Sequence, residues 1–300
     1  MAEITRKRTG ELLRKLFEIL SKHPEGLQAG VALEQLANSV TLTEYESGNY
    51  ESSGTRRFEK IVRFATVDCV KAGWLAKHKG TWLVTDAGLQ AYKNHPSPEA
   101  FYREAVRLYR AWKSAQNGKV EDNSTPASDD AGGASESATI TFEQAEEQAW
   151  SEIERYLRAM NPFDFQQVVA DLLRAMSYHV SWISPPGKDG GVDIIAYTDP
   201  LGTKTPRIKV QVKRVVQKVD KDGLKSFMAI INEDDVGLFV STAGFTRDAE
   251  EFARSQERRK ITLIDLERLL DLWVQHFSRL DEKARRRLPL SPIYFLTPES

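Results

Sequence analysis

The chain has 300 residues, with 42 Lys and Arg against 43 Asp and Glu, for a formal net charge of −1. This length suffices for two domains with buried cores, and the near-neutral total excludes a protein that binds polyanions through its overall charge. A single cysteine, Cys69, excludes an intramolecular disulfide, and no Cys/His group has zinc-site spacing.

The charges are unevenly distributed along the chain. Residues 1–117 hold 18 basic and 13 acidic side chains, residues 118–160 hold 3 and 10, and residues 203–225 hold 8 and 2. A phosphate backbone responds to local charge, so the basic stretches are candidate nucleic-acid surfaces. Because the first residues enter an amphipathic pattern directly and no apolar run reaches membrane-spanning length, we expect a soluble, cytoplasmic protein without a leader or membrane segment.

The first part of the chain predicts a winged-helix DNA-binding domain over 1–117. Apolar residues at helical spacing predict a first helix around Leu12–Leu20, and similar patterns predict helices over 30–38 and most of 55–75. The sequence "LAKHKGTWLVTDAG" then indicates a strand, a Lys-Gly turn and a second strand. Three helices followed by a hairpin is the layout of a winged helix-turn-helix.

The third predicted helix combines an apolar stripe with a basic face. The stripe, in which Cys69 would be a core residue rather than a nucleophile, consists of Phe58, Ile61, Val62, Ala65 and Cys69. We expect the basic face to enter a DNA groove and the hairpin to contact phosphates. The cations concerned are Arg56, Arg57, Lys60 and Arg63 on the helix and Lys77, His78 and Lys79 on the hairpin. The alternative is that these cations only solvate the helix face.

A polar segment separates this domain from the rest. Residues 118–138 have Val120 as their only branched apolar side chain and predict a flexible linker, which leaves 139–300 as a second domain. The pattern in that domain predicts, in order, helices over 142–160 and from Pro162, strands over 178–183, 192–198 and 206–214, a helix over 221–231, a strand over 236–242, a helix from Thr246, the strand "ITLI" and a helix over 266–277. This order predicts an α/β domain with a mixed sheet, in which an antiparallel hairpin region joins a βαβ crossover.

Three polar residues interrupt the predicted hairpin of this sheet. Asp193 precedes one strand, while Gln211 and Lys213, two residues apart, share a face of the next strand and leave Val212 to the core. A carboxylate and an amide oxygen suit Mg²⁺, and a neighbouring ammonium can orient water or neutralise charge on a phosphate. The alternative is an ordinary strand face exposed to water, with Asp193 capping a turn.

The segments "GKDGGVDII", "VQVKR", "GLFVSTAGFTRDAEEFA" and "ITLIDLERLLDL" together resemble the catalytic domain of the Mrr family of modification-dependent (Type IV) restriction endonucleases. The family belongs to the PD-(D/E)XK superfamily, here in a Gln-x-Lys variant. The resemblance covers about 161–275, and "GWL" with "KGTWLVTDAG" extends it to the winged-helix domain. It implies a restriction-endonuclease-like catalytic domain.

The resemblance also implies roles for individual residues. Asp193 is the metal-binding acid, Gln211 replaces the usual second acid, Lys213 is the catalytic lysine, and Asp189 matches an acid of the Gly-rich loop. Gln166 departs from the family, which often has Glu at that position. The departure implies either weak metal binding, completed by substrate phosphate, or an impaired enzyme.

The sequence and the resemblance together predict a Mg²⁺-dependent endonuclease of double-stranded DNA, with methylated DNA as a target on the resemblance alone. Cutting both strands requires two active sites, so we expect a homodimer or a larger assembly. Two alternatives stay open: a catalytically impaired DNA-binding protein, and a nuclease for damaged or branched DNA.

Other polar residues carry less weight. The segment from Thr242 to Thr246 would either hold a phosphate at the following helix N-terminus or form a plain turn capped by Thr246. We expect His179 and His276 to be packing or surface residues, and Arg285–Arg287 to form a solvated helix end, with contact to DNA as the alternative.

Overall fold

The computed structural model describes residues 5–50, 56–116, 130–185 and 190–294. The chain forms two compact units. The first contains the residues up to Ser151 together with Tyr294, and the second spans Glu152–Ile293. Within the described ranges, none of the helices combines the length and the hydrophobicity of a transmembrane span.

Within the described residues, the first unit contains the three helices and the hairpin of the predicted winged helix, and four further helices. Its helices and strands are α1 (Arg6–Leu20), β1 (Leu27–Gln28), α2 (Ala29–Ser39), α3 (Glu44–Ser47), α4 (Arg57–Lys71), β2 (Leu75–His78), β3 (Thr81–Val84), α5 (Asp86–Asn94), α6 (Pro98–Gln116) and α7 (Asp130–Ala159), which continues into the second unit. The three strands pair in the order β1-β3-β2, and both pairings are antiparallel.

The third predicted helix is α4, and its apolar stripe lies in the core. Phe58, Val62, Ala65 and Cys69 are buried there, while Ile61 is partly buried against them. Burial raises the pKa of the Cys69 thiol, as expected for a core residue rather than a nucleophile. The predicted turn of the hairpin is formed by Lys79 and Gly80, both with positive φ, which matches a tight two-residue connection.

Helix α6, which the sequence analysis did not anticipate, completes the core of the first unit. Phe101 of α6 packs edge to face on Phe17 of α1, with ring centroids 5.1 Å apart. The two helices approach closely at Gly10, where an added Cβ would lie 1.9 Å from the carbonyl oxygen of Pro98. A glycine is needed there because no side chain fits.

The predicted linker and the following helix need correction at their junction. Of residues 118–138, the part up to 129 lies outside the described residues, but the backbone is helical from Asp130 onward rather than from 142. Residues 140–151 belong to the first unit, not to the second. Whether 118–129 acts as a linker stays a prediction.

The second unit has the predicted mixed α/β order. Its elements are α8 (Pro162–Ala175), β4 (His179–Ile183), β5 (Ile194–Tyr197), β6 (Arg207–Lys213), α9 (Lys221–Met228), β7 (Asp235–Ser241), α10 (Arg247–Arg254), β8 (Lys260–Ile264), α11 (Leu266–Gln275) and α12 (Glu282–Arg287). The sheet order is β4-β5-β6-β7-β8, in which β4, β5 and β6 are antiparallel and β6, β7 and β8 are parallel.

Helices cover both faces of this sheet. On one face, α8 packs on β4, β5 and β6, and its residues Phe165, Val168, Val169, Leu172 and Leu173 are buried as predicted. On the other face, Phe227 of α9 and Phe245 lie edge to face with Phe239 of β7, at centroid distances of 5.3 and 5.8 Å. Strand β6 is therefore hydrogen-bonded on both edges and packed on both faces, and it holds the candidate site in a fixed frame.

Candidate functional site

Strand β6 presents four alternate side chains, from Arg207 to Lys213, on one face. Parallel register places Gln211 opposite Phe239, so this is the face that α9 and α10 cover. The other face carries Ile208, Val210 and Val212, of which the first two are buried and Val212 only half-buried. The predicted alternation is thus present, although Val212 lies less deeply than expected.

The first half of this face is occupied by an internal ion-pair cluster. Asp235 of β7 accepts from Arg207 Nε at 3.1 Å and lies 2.9 Å from Lys209 Nζ, and it is 5 % exposed. Burial raises the pKa of the Asp235 carboxyl, but the hydrogen bonds from Arg207 and Lys209 outweigh it and leave the pKa below its ordinary value. These two cations serve the fold.

The second half of the same face has no such partners. Gln211 is 9 % exposed and Lys213 is exposed, and neither side chain makes a hydrogen bond or ion pair within the described part of the chain. The arrangement leaves the Gln211 oxygen and the Lys213 ammonium available to a ligand.

Asp193 lies next to Gln211 across the strand pair. The antiparallel register joins Ile194 to Val210, and continuing it by one residue places Asp193 opposite Gln211 on the same face. The Asp193 carboxylate accepts the backbone N–H of Val212 at 2.7 Å, which fixes it against β6. Gly191, with φ +73°, carries the chain past Gln211, and an added Cβ would lie 4.0 Å from Gln211 Nε2. The structure therefore brings Asp193, Gln211 and Lys213 to one end of β6.

Gln166 on α8 supports this arrangement through the main chain, a role that the sequence analysis missed. Its side chain is 5 % exposed, and Nε2 donates to the carbonyl oxygens of Asp193 at 2.9 Å and Ser184 at 3.3 Å. Ser184 N–H donates to the same Asp193 oxygen at 2.8 Å. A carboxylate cannot donate, so Glu at this position could not hold the two carbonyl groups. The amide nitrogen of Gln166 therefore holds the backbone of the site in place.

The donor chemistry of the site suits a hard divalent cation bound mainly by neutral oxygen atoms. Among the described residues, no group of three or more His, Cys, Asp or Glu side chains could hold a metal ion. Asp193 supplies one carboxylate. The Gln211 amide, which has no partner among the described residues, supplies a neutral oxygen, which Mg²⁺ accepts together with water and substrate oxygens. Asp189, the other predicted acid, lies outside the described residues.

The connection after β7 is a capped turn. The hydroxyl of Thr246 accepts the N–H of Ala249 at 3.3 Å, so Thr246 is the N-cap of α10. The hydroxyl of Thr242 accepts from Val215 N at 2.9 Å and donates to Val215 O at 2.8 Å. Thr242 thus ties the chain that leaves β6 to the end of β7 and steadies the Lys213 end of the strand.

The remaining polar candidates have roles within the fold or at its surface. His179 is exposed and His276 half-buried, as expected for surface or packing residues. Of the three arginines in α12, Arg287 pairs with Asp171 of α8, and Arg285 donates to the carbonyl oxygen of Phe277. This helix end is therefore partly used in packing, rather than only solvated.

The predicted DNA-contacting cations of the first unit fall into two groups. Arg56 is exposed, whereas Arg57 and Lys60 are half-buried beside aromatic rings. The Arg57 guanidinium lies 4.7 Å from the Tyr45 ring centroid, and Lys60 Nζ lies 4.7 Å from that of Tyr50. Basic and aromatic side chains together form a surface of the kind that contacts nucleic acid.

The second group of predicted DNA-contacting cations consists of Arg63, Lys77 and Lys79. The structure shows that they are less exposed than expected. Arg63 is 5 % exposed and pairs with Glu147 at 2.8 Å, and the Lys77 side chain is 9 % exposed and pairs with Glu143 at 2.7 Å. Lys79 Nζ lies 5.5 Å from the ring centroid of Trp150. Carboxylates of α7 thus hold Arg63 and Lys77, and Lys79 lies beside an aromatic ring of the same helix. Their contact with DNA stays a prediction, since it requires α7 to move.

The sequence matches two family models. The Mrr catalytic model, described as a restriction endonuclease, matches residues 157–273, and the model of the Mrr N-terminal domain matches residues 10–94. Among curated proteins, the chain is similar to the Type IV methyl-directed restriction enzyme EcoKMrr of Escherichia coli (strain K12), with 26% identity over 305 residues, which cover 95% of this chain and 97% of the relative.

Two further similarities are partial. The uncharacterized protein y4cE of Sinorhizobium fredii is 33% identical over 109 residues, covering 35% of this chain and 27% of that protein. Among solved structures, the MspJI restriction endonuclease in complex with a 27-mer oligonucleotide aligns with a TM-score of 0.32 and 19% identity, over 69% of this chain and 47% of that one.

Proposed function

The chain belongs to the Mrr family of restriction endonucleases, and we propose that this DNA endonuclease cuts methylated double-stranded DNA with the help of Mg²⁺. The observation that carries the proposal is the meeting of Asp193, Gln211 and Lys213 at one end of β6, where Gln211 and Lys213 lack partners among the described residues. The methyl-directed activity of the Escherichia coli relative supports the choice of substrate.

The proposed roles follow from the chemistry of each side chain. Asp193 and Gln211 would hold Mg²⁺ through a carboxylate and an amide oxygen, with Asp189 as a further acid in the preceding loop. Bound Mg²⁺ would polarise the phosphodiester and neutralise part of its charge. Lys213 would orient the attacking water and stabilise the negative charge that builds on the phosphate. Gln166 would keep the Asp193 backbone in place.

The first unit would supply the DNA contacts. We assign phosphate and groove contacts to Arg56, Arg57 and Lys60, with Arg63, Lys77 and Lys79 joining when α7 moves away. Cleavage of both strands needs two catalytic sites, so a homodimer or larger homo-oligomer is the proposed working form. Modified or foreign DNA is met in the cytoplasm, and we place the activity there.

The test is cleavage of supercoiled plasmid across a Mg²⁺ titration, with methylated plasmid, unmethylated plasmid and a branched junction compared in parallel. We expect the methylated plasmid to be cut fastest and no cleavage without metal. Preference for the junction would instead support a nuclease for branched DNA. Binding without nicking at any Mg²⁺ concentration would support the impaired DNA-binding alternative.

Asp193→Ala provides the matching test of the site. It removes the carboxylate that the described residues place on this face next to Gln211, so cleavage should fall by roughly 100-fold or more. Asp199→Ala is a suitable control, since Asp199 lies after β5 and accepts hydrogen bonds from Thr203 and Lys204 within its own turn. Equal cleavage by Asp193→Ala and the wild type would remove the metal-binding role of Asp193.

A further inference from the structure

The basic face of the first unit has an open and a covered part. The open cations, Arg56, Arg57 and Lys60, lie near the start of α4 beside Tyr45 and Tyr50. The covered cations, Arg63, Lys77 and Lys79, lie further along α4 and on the hairpin, under α7. In a winged helix these elements are the ones that face DNA.

The acidic segment of α7 contacts the covered cations as a polyanion would. Glu147 pairs with Arg63 through one oxygen and accepts the N–H of Gly30 at 3.1 Å through the other. The segment also approaches the hairpin turn closely, because an added Cβ on Gly80 would lie 2.7 Å from Glu147 Cγ. One carboxylate thus receives both a guanidinium and a backbone amide, the two kinds of donor that bind phosphate oxygens.

The main buried cluster of the first unit includes no side chain of α7 among the described residues. Among the described residues, the buried cluster of this unit and the side chains packed against it come from the region between Leu12 and Leu108. The buried apolar residues of the α7 segment, Ile140 and Trp150, lie outside that cluster. Departure of the segment would therefore cost ion pairs and peripheral contacts and leave the central packing intact.

Arg63, one of the covered cations, is incompletely satisfied by α7. Arg63 Nη2 bonds to Glu147, but Arg63 Nε and Nη1 are buried without a hydrogen-bond partner among the described residues. Burial also lowers the pKa of the Lys77 ammonium, against the opposing effect of Glu143. A guanidinium has five N–H donors and pairs well with oxyanions that present several oxygens, as a phosphodiester does.

We infer that Arg63, Lys77 and Lys79 form a binding surface for the phosphate backbone of duplex DNA, and that the Glu143–Trp150 segment of α7 competes with DNA for it. The inference rests on the proposed DNA binding by the first unit. With the segment docked, only the open cations face DNA, so binding is weak. When the segment leaves, the covered cations add their phosphate contacts.

The first test measures binding of a short labelled, unmethylated duplex to the full-length protein by fluorescence anisotropy, without Mg²⁺. The double variant Glu143→Gln/Glu147→Gln should bind about 10-fold more tightly than the wild type, since couplings of this kind typically fall between 5- and 150-fold. The matched control is Glu146→Gln/Glu152→Gln, which removes the same charge from exposed positions of the same helix and should change affinity less than about 2-fold.

The outcomes distinguish failure of the proposed competition from failure of the proposed DNA binding. An equal gain in both double variants would reduce the effect to general charge repulsion and overturn the competition, as would no gain or a loss in the Glu143/Glu147 variant. If the wild type and every variant fail to bind duplex, the proposed DNA binding itself fails and the competition falls with it.

A second measurement uses the wild-type chain and so does not depend on the folding of variants. Amide hydrogen exchange over residues 141–150 is compared with and without a saturating concentration of the same duplex. Competition predicts faster exchange in this segment and slower exchange in α4 and the hairpin when DNA is bound. Slower or unchanged exchange in 141–150 with DNA bound would show that α7 stays docked, and would overturn the inference.

Discussion

Two buried cations of the first unit and one exposed lysine of the second differ in whether the described part of the chain supplies their partners. In the first unit, Arg63 and Lys77 are buried against Glu147 and Glu143. In the second unit, Lys213 is exposed and makes no ion pair within the described ranges. Both groups come from stretches in which the sequence shows an excess of basic residues. The comparison teaches that a basic stretch locates cations but does not tell whether the fold already neutralises them.

Strand β6 repeats this contrast over seven residues. Arg207 and Lys209 are held by Asp235, whereas Gln211 and Lys213 on the same face have no partner among the described residues. Since the four side chains alternate along one strand, their backbone environment is nearly the same. The difference in partners therefore separates the structural half of the face from the half available for chemistry.

The largest effect is expected for Lys213→Ala. If Lys213 acts on the attacking water and the phosphate, cleavage of methylated plasmid should fall by roughly 100- to 1,000-fold, with DNA affinity and the unfolding midpoint nearly unchanged. Lys204→Ala, at an exposed lysine of the same basic stretch, is the control and should retain activity. Near wild-type cleavage by Lys213→Ala would place this lysine among ordinary surface cations.

Gln166→Glu should have the next largest effect. The variant loses both donors and places a carboxylate beside the carbonyl oxygens of Asp193 and Ser184. Supporting residues of metal sites typically change metal affinity or activity by about 10- to 100-fold. We therefore expect a higher Mg²⁺ midpoint for cleavage together with a lower maximal rate. Gln167→Glu, at the half-buried neighbouring position, is the control.

If Gln166 only stabilised the fold, its replacement would not shift the Mg²⁺ concentration at which cleavage is half-maximal. Gln166→Met helps to separate the two, because it removes the donors without adding charge. If both variants unfold earlier but keep the wild-type Mg²⁺ midpoint, Gln166 stabilises the fold without positioning Asp193.

Asp235→Asn tests the structural half of β6. Removing the charge leaves Lys209 and Arg207 uncompensated, and because Arg207 is partly exposed we expect a loss of about 2 kcal/mol in the free energy of unfolding. The measurement is urea denaturation of the variant beside the wild type, with Lys213→Ala as the contrasting variant that should lose less than about 0.5 kcal/mol. A larger loss in Lys213→Ala than in Asp235→Asn would reverse the assignment of the two halves.

The ion pairs of Asp235 with Arg207 and Lys209 predict that the free energy of unfolding depends on pH. The pKa of Asp235 is lowered in the folded protein, so its stabilising contribution is complete above the unfolded value of about 3.9 and is lost as the pH falls through the lower folded value. The difference between the wild type and Asp235→Asn should therefore shrink as denaturation is repeated below about pH 4.

Gln211→Glu is expected to have the smallest effect, in the opposite direction. A second carboxylate beside Asp193 should bind the metal more strongly, so the Mg²⁺ midpoint for cleavage should fall by several-fold while the maximal rate stays within about 3-fold. Asn at this position is a useful contrast, since it keeps the amide but shortens its reach. An unchanged midpoint in Gln211→Glu would argue that the Gln211 side chain does not touch the metal.

The sequence predicted the parts of the fold that local patterns determine. The apolar stripe of α4, the Lys-Gly hairpin and the alternation along β6 follow from helical and strand periodicities over a few residues. Asp193 and Gln211 could be paired because two short strands joined by a polar turn have few possible registers. Helices α5 and α6 were passed over, although their apolar spacing was available to find them.

The rest depends on contacts between distant parts of the chain. Arg63 and Glu147 are 84 residues apart, and Lys77 and Glu143 are 66 residues apart, so no local pattern shows that α7 covers these cations. The contact between Gln166 and the Asp193 carbonyl likewise spans 27 residues and joins a side chain to the backbone. The residue types in the sequence do not reveal such a contact. The one signal is that Gln166 stands where a Glu was expected.

The pairing of β6 on both edges limits how the length of the chain can vary around the site. A slip of β6 by one residue would exchange its faces, so that Val210 and Val212 would replace Gln211 and Lys213 beside Asp193. The slip would also have to break an antiparallel ladder to β5 and a parallel ladder to β7 at once. Insertions should therefore be tolerated in the connection at 198–206, whereas adding a single residue inside Arg207–Lys213 should dismantle the site.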